Sequence, residues 1–126
     1  MRGHMTSPLS VLIVEDEPLI SMMLEDYIEE LGHRVAATAE SVDEALGHVE
    51  AGGFDVAILD IHLRGGEPSW PIADRLADKG VGFLFATGGH VEPPPARHCD
   101  APHLAKPFTI DGVRAALDPY EGGSRG

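Results

Sequence analysis

Basic residues are scarce in this sequence: nine Lys and Arg stand against 21 Asp and Glu, a formal net charge of -12. A DNA or RNA binder needs a cationic face to displace counterions from phosphates, so this balance argues against nucleic acid and for protein partners, basic ones above all. Cysteine is nearly absent. The lone Cys99 forms no internal disulfide and has no surroundings that suggest a catalytic thiol. No apolar run approaches membrane-spanning length and there is no signal-peptide core, so the expected location is the cytoplasm, without membrane contact. What is present is ordinary globular material: 126 residues, 43% hydrophobic and 24% charged, enough for one core and no second module. Met1-Arg2-Gly3-His4-Met5 reads as an expression-tag remnant before a second start. Residues 1–7 are therefore set aside as a disordered N-terminus, 8–118 as the folded domain and 119–126 as a frayed tail.

The chain is organised around Phe54-Asp55-Val56-Ala57-Ile58-Leu59-Asp60, an apolar run that delivers an aspartate at its carboxyl end, between Gly52-Gly53 and Gly65-Gly66. Its length suits a strand covered on both faces. Around it, strand and helix signals alternate. Val11 to Val14 is a β-branched-rich strand ending in Glu15-Asp16-Glu17, and Pro18 opens a helix with Ile20, Leu24, Tyr27, Ile28 and Leu31 on one face up to Gly32. Arg34 to Ala39 is a less apolar, edge-type strand. Ser41-Val42-Asp43-Glu44 has the form of a capping box for a helix burying Val42, Ala45, Leu46 and Val49. Pro68 and Pro71 bracket the start of a further helix with the stripe Ile72, Ala73, Leu76 and Ala77, which Gly80 stops. Val81 to Thr87 is a fourth strand, and His103-Leu104-Ala105 a brief fifth ending in Lys106-Pro107. Thr109 can cap a last helix through Ile110, Val113, Ala116 and Leu117. Between strands four and five the alternation falters, since Pro93-Pro94-Pro95 allows at most one helical turn.

Strands interleaved with helices imply a parallel sheet with right-handed crossovers and helices on both faces, and such sheets bind ligands outside the carboxyl ends of their strands. This geometry gathers Glu15, Asp16, Asp60, Thr87 and Lys106 into one crevice. Carboxylates about 4 Å apart repel by roughly 4 kcal/mol per pair at an effective dielectric of 20, so the cluster requires cations. Mg²⁺ and the Lys106 ammonium supply them, and Mg²⁺ keeps coordination positions for phosphate oxygens. The Thr87 hydroxyl and Lys106 then meet the remaining equatorial oxygens of a phosphoryl group.

VLIVEDEP with its acidic pair, FDVAILDIHL, FLFATGG and LAKPF together resemble the CheY-like receiver domain of bacterial two-component response regulators, over nearly all of the chain from Ser10 to about Leu117. The resemblance implies a flavodoxin-like, doubly wound five-stranded parallel sheet in the order 2-1-3-4-5, and a receiver occupying residues 8–118. It makes Asp60 the phosphoacceptor, Glu15, Asp16 and Asp60 the Mg²⁺ carboxylates, and the backbone carbonyl of His62 a further metal ligand. Thr87 becomes the switch hydroxyl and Lys106 the phosphate partner, and Lys106-Pro107 is expected to be cis. A single-domain receiver in a phosphorelay follows, taking its phosphoryl group from a sensor histidine kinase and signalling through an unidentified downstream protein. Catalysis is confined to its own phosphorylation and slow dephosphorylation.

The FATGG stretch is similar to the subgroup of receivers nicknamed FAT GUY, which implies kinases of the HWE and HisKA2 kinds. Two departures stand out. His103 occupies the position of the family's aromatic switch residue, and Val91 to Cys99 replaces most of the fourth helix, leaving it shortened or disordered. Signalling is accordingly expected through ordering of Gly88 to Cys99. Competing readings are an aspartyl-phosphate phosphohydrolase, which places a second aspartate where His62 stands, a receiver cut from a hybrid histidine kinase, and a flavodoxin-like binder without phosphorylation. His62, His90, His98 and His103 lack ligand-type spacing and are expected to be scattered surface imidazoles, and Trp70 a local packing residue. Asp55 is expected to cap the start of its strand.

Overall fold

The computed structural model of the chain describes residues 8–61, 63, 68–87, 98, 101–105 and 108–123, with backbone alone at 87, 105 and 121–123. His62, Lys106, Pro107, the tag-like N-terminus and the segment 88–97 lie outside the described residues, as do Cys99 and the last three positions. Five parallel strands form one sheet in the order β2-β1-β3-β4-β5. The strands are β1 (Ser10–Val14), β2 (Arg34–Ala39), β3 (Val56–Asp60), β4 (Gly82–Thr87) and β5 (His103–Ala105). The helices are α1 (Pro18–Glu30), α2 (Val42–Ala51), α3 (Trp70–Lys79) and α4 (Ile110–Leu117).

The centre of the sheet is apolar on both faces because helices cover both. Along β3, Val56, Ala57, Ile58 and Leu59 are all buried, so alternation is absent where it would mark a solvated face. Leu12, Val14, Ala57, Leu59 and Phe85 pack towards α2 and α3, with Ile72, Ala73 and Leu76 of α3. Val11, Ile13, Val56, Ile58 and Leu84 pack towards α1 and α4, with Leu24, Ile28, Val113 and Leu117. β2, at the edge, alternates between exposed and half-buried positions until its last residue, Ala39, which is buried. Ala77, expected on the α3 stripe, is exposed, because it sits at the margin of the arc that Ile72, Ala73 and Leu76 define.

Local chemistry sets the helix ends. The Ser41 Oγ accepts a hydrogen bond from the Glu44 backbone N–H at 3.2 Å, as a capping box requires, but the Glu44 carboxylate returns to the N–H of Glu40 rather than of Ser41, at 2.9 Å. The Thr109 Oγ1 caps α4 by accepting from Gly112 N–H at 3.0 Å. At the far end of the sheet the Asp55 carboxylate accepts from Ser10 N–H at 2.8 Å, so it caps the start of the neighbouring β1 rather than of its own strand. His33, which the sequence did not single out, is buried there, its Nδ1 accepting from Leu9 N–H at 2.9 Å. That bond fixes the neutral tautomer protonated on Nε2. On the outer surface Arg75 of α3 hydrogen-bonds Glu50 of α2 at 2.7 Å. This bond holds the Glu50 carboxyl below, and the Arg75 guanidinium above, their ordinary values.

The tail departs from expectation. Asp118–Gly123 forms a 3-10 turn rather than frayed chain, because Tyr120 lies over the start of β4 and donates its hydroxyl to Phe83 O at 3.2 Å. A Cβ on Gly82 would come 2.5 Å from the Tyr120 ring, so the absence of a side chain at position 82 is what admits the ring. Gly82→Ala is expected to expel Tyr120 and cost about 1–3 kcal/mol by overpacking. A urea unfolding curve that overlays wild type would contradict the contact. Burial raises the Tyr120 phenol above its ordinary value of 10.0. The unfolded chain therefore loses this proton first, and the contribution is intact below pH 10 and lost as pH climbs towards the folded value. Tyr120→Phe should flatten that alkaline decline in stability, measured as urea midpoint against pH.

Candidate functional site

Parallel register brings distant residues to one end of the sheet. Val14 pairs with Leu59, so Glu15 and Asp16 leave β1 beside Asp60 at the tip of β3. Asp60 pairs with Ala86 across to β4, and Thr87 pairs with Ala105 across to β5. The backbone of Thr87 and the residue immediately before Lys106 are therefore neighbours at the same edge of the crevice. The side chain of Thr87, the His62 carbonyl and Lys106 itself lie outside the described residues.

Glu15, Asp16 and Asp60 come together as the sequence predicts: each offers a carboxylate oxygen, and the three oxygens lie within 4.8 Å of one another. Glu15 is only 2% exposed, held where its backbone N–H extends the β1–β2 ladder to Ala39 O at 2.9 Å and its Oε2 accepts from Glu17 N–H at 3.1 Å. Asp16 and Asp60 are partly exposed and open towards the crevice end of the sheet. At that spacing and an effective dielectric of 20, each pair repels by on the order of 3 kcal/mol. Clustered hard oxygen donors, one buried and two accessible, fit a small divalent cation such as Mg²⁺ that retains waters on its open side. Asp16→Asn is expected to raise the melting temperature in chelator, by the equivalent of about 1 kcal/mol of relieved repulsion, and to lack the further rise expected of wild type on adding Mg²⁺. A variant that still gains from Mg²⁺ as wild type does would take Asp16 out of the ligand set.

Past Asp60 the chain is tied back to α3. Ser69, at the helix N-cap and fully buried, donates its N–H to Ile61 O at 2.8 Å. Trp70 then sets its ring edge-on to Phe85 at 5.3 Å, the packing role expected of it. His98 corrects the expectation of a surface imidazole. It is 3% exposed, its Nε2 lies 2.7 Å from Asp74 Oδ1, and its ring meets the rings of Phe83 and Phe85 edge-on. No sequence signal linked it to Asp74, because the pair joins a helix face to a residue beyond a proline run. His103 is exposed, as expected, with its ring 6.1 Å from Phe85.

Comparison with known proteins decides the family. The response regulator receiver domain model matches residues 11–67. SdrG from Sphingomonas melonis Fr1, solved in solution, is 52% identical and superposes with a TM-score of 0.81, over 90% of this chain and 97% of SdrG. The chain belongs to the response regulator receiver domain family. Against the BeF3-activated conformation of SdrG the TM-score is 0.75, at 53% identity over 89% of this chain and 96% of that one. This receiver is also 33% identical to the phyllosphere-induced regulator PhyR of Methylorubrum extorquens over 117 residues, 85% of this chain and 41% of PhyR. With the transcriptional regulatory protein TcrA of Mycobacterium tuberculosis it shares 30% identity over 116 residues, 88% of this chain and 45% of TcrA. The receiver thus spans less than half the length of these two curated relatives. No helix among its described residues is long and apolar enough to cross a membrane.

Proposed function

We propose that the protein is the phosphoacceptor of a two-component pathway in the cytoplasm, taking a phosphoryl group from the phosphohistidine of a sensor histidine kinase onto Asp60. The single observation that carries this reading is the convergence of Glu15, Asp16 and Asp60 within 4.8 Å at the carboxyl end of the sheet. An Asp60 carboxylate oxygen attacks phosphorus, the P–N bond to the kinase imidazole breaks, and the acyl phosphate and free imidazole result. Glu15 and Asp16, with Asp60 and the His62 carbonyl, would hold Mg²⁺, and the ion would supply positive charge against the acidic cluster and the phosphoryl oxygens. Thr87 supplies a hydroxyl and Lys106 an ammonium to the oxygens that remain. The backbone register that sets Thr87 beside Ala105, one residue before Lys106, supports both roles.

His103, edge-on to Phe85 at the family's aromatic switch position, is suited to follow phosphorylation of Asp60. The FATGG motif supports the FAT GUY subgroup and a kinase of the HWE or HisKA2 kind. The test is incubation with Mg²⁺ and acetyl phosphate, read by intact mass. One phosphoryl adduct, absent when chelator replaces Mg²⁺ and lost at alkaline pH as acyl phosphates are, is the expected result. No adduct, or one indifferent to chelator, overturns the reading.

A further inference from the structure

Strand β5 is three residues long, and the residue that follows it is Lys106. Its ladder on β4 comprises Phe85 with His103, Ala86 with Leu104 and Thr87 with Ala105, preceded by the bond from Phe85 N–H to Pro102 O at 2.9 Å. So short a ladder holds its strand weakly against sliding, and something must fix where its end, and hence Lys106, lies. The entry to β5 is held by a side chain. Ala101 N–H donates to His98 O at 3.0 Å, closing a turn, and the His98 ring is wedged edge-on against Phe83 and Phe85, with centroids at 5.5 and 6.3 Å. Its Nε2 lies 2.7 Å from Asp74 Oδ1 on α3, with 2% of the imidazole side chain exposed. Because the partner is a carboxylate, Nε2 is the donor.

The same helix holds the other side of the site. The peptide after Asp60 is bound to the start of α3 through Ser69 N–H and Ile61 O at 2.8 Å. Nucleophile and lysine-bearing strand are thus both referenced to α3, one at its first turn and one at Asp74. We propose that His98 and Asp74 are positioning residues for Lys106, the pair fixing where β5 ends relative to Asp60. The inference rests on the phosphoacceptor reading. It adds residues outside the acidic crevice whose function is distance-keeping for the phosphoryl group.

The test uses the full chain, Mg²⁺ and beryllofluoride as the phosphoryl mimic, with affinity read from chemical-shift titration and folding checked by circular dichroism. Displacements near 1 Å can cost up to about 100-fold in well-ordered sites, and a loosened strand is expected to cost roughly tenfold. Asp74→Ala, at a side chain 48% exposed, should weaken beryllofluoride binding by that factor, as should His98→Leu. His98→Gln, which keeps a side-chain N–H donor, should recover most of the loss. In a Lys106→Ala background neither Asp74→Ala nor His98→Leu should change binding further. Asp74→Ala binding as tightly as wild type, or a loss that persists undiminished without Lys106, overturns the inference and leaves the phosphoacceptor reading standing. Wild type that binds no beryllofluoride, or Lys106→Ala that binds as wild type, overturns both.

Discussion

Asp60→Asn is expected to abolish the phosphoryl adduct formed with acetyl phosphate while leaving the fold intact. The amide matches the carboxylate in shape but has no anionic oxygen to attack phosphorus, and no other described carboxylate shares its position. Glu15 is buried with Oε2 engaged by Glu17 N–H, and Asp16 lies two residues past β1 in the turn to α1. The same substitution removes one of three charges confined within 4.8 Å, so chelator-treated Asp60→Asn should be more stable than wild type by about 1 kcal/mol, part of the roughly 3 kcal/mol of repulsion in each of the two pairs it belongs to. Intact mass and urea unfolding on one preparation give both numbers. An adduct of undiminished yield on Asp60→Asn would place the chemistry elsewhere, and a loss of several kcal/mol of stability would mean that the carboxylate is structural.

Phe85→Ala should be the most damaging substitution for stability, at about 3–5 kcal/mol, the range for deleting a fully enclosed aromatic ring. Phe85 has no exposed surface, pairs with Leu59 across the sheet, and meets Trp70, Phe83, His98 and His103 edge-on. Its removal opens a cavity between β4 and α3 and withdraws one wall of the His98 wedge. His103→Ala, at an exposed position with a single ring contact, should by contrast stay within about 0.5 kcal/mol, so that the pair of variants separates burial from mere proximity to the site. Urea midpoints and slopes check both, and a Phe85→Ala cost below about 1.5 kcal/mol would contradict the packing described.

What could be read from the sequence was what physical chemistry writes locally. Pro18 at the first turn of α1, the Ser41 and Thr109 caps and the unbroken apolar run of β3 each follow from backbone donors needing partners or from faces needing cover. The acidic cluster was legible by one further step, because a parallel sheet places successive strand tips at one edge and each tip carried its residue. Contacts joining elements without a repeating pattern stayed hidden. His98 reaches Asp74 across 24 residues, and nothing in the spacing of either distinguishes them from solvated surface groups. Tyr120 docks 37 residues from Phe83, and the cue, a glycine opening β4, is informative only once the ring is seen above it. Glu44 shows the limit even of a local motif, since its carboxylate closes on Glu40 one residue outside the expected box.

The most direct test of the account is to trap the acyl phosphate. After phosphorylation with Mg²⁺ and acetyl phosphate, borohydride reduces an aspartyl phosphate to homoserine, and peptide mass spectrometry locates the converted residue. Conversion confined to position 60 is the predicted result. Homoserine at another aspartate, or a phosphoryl group on a histidine that borohydride leaves untouched, would contradict it.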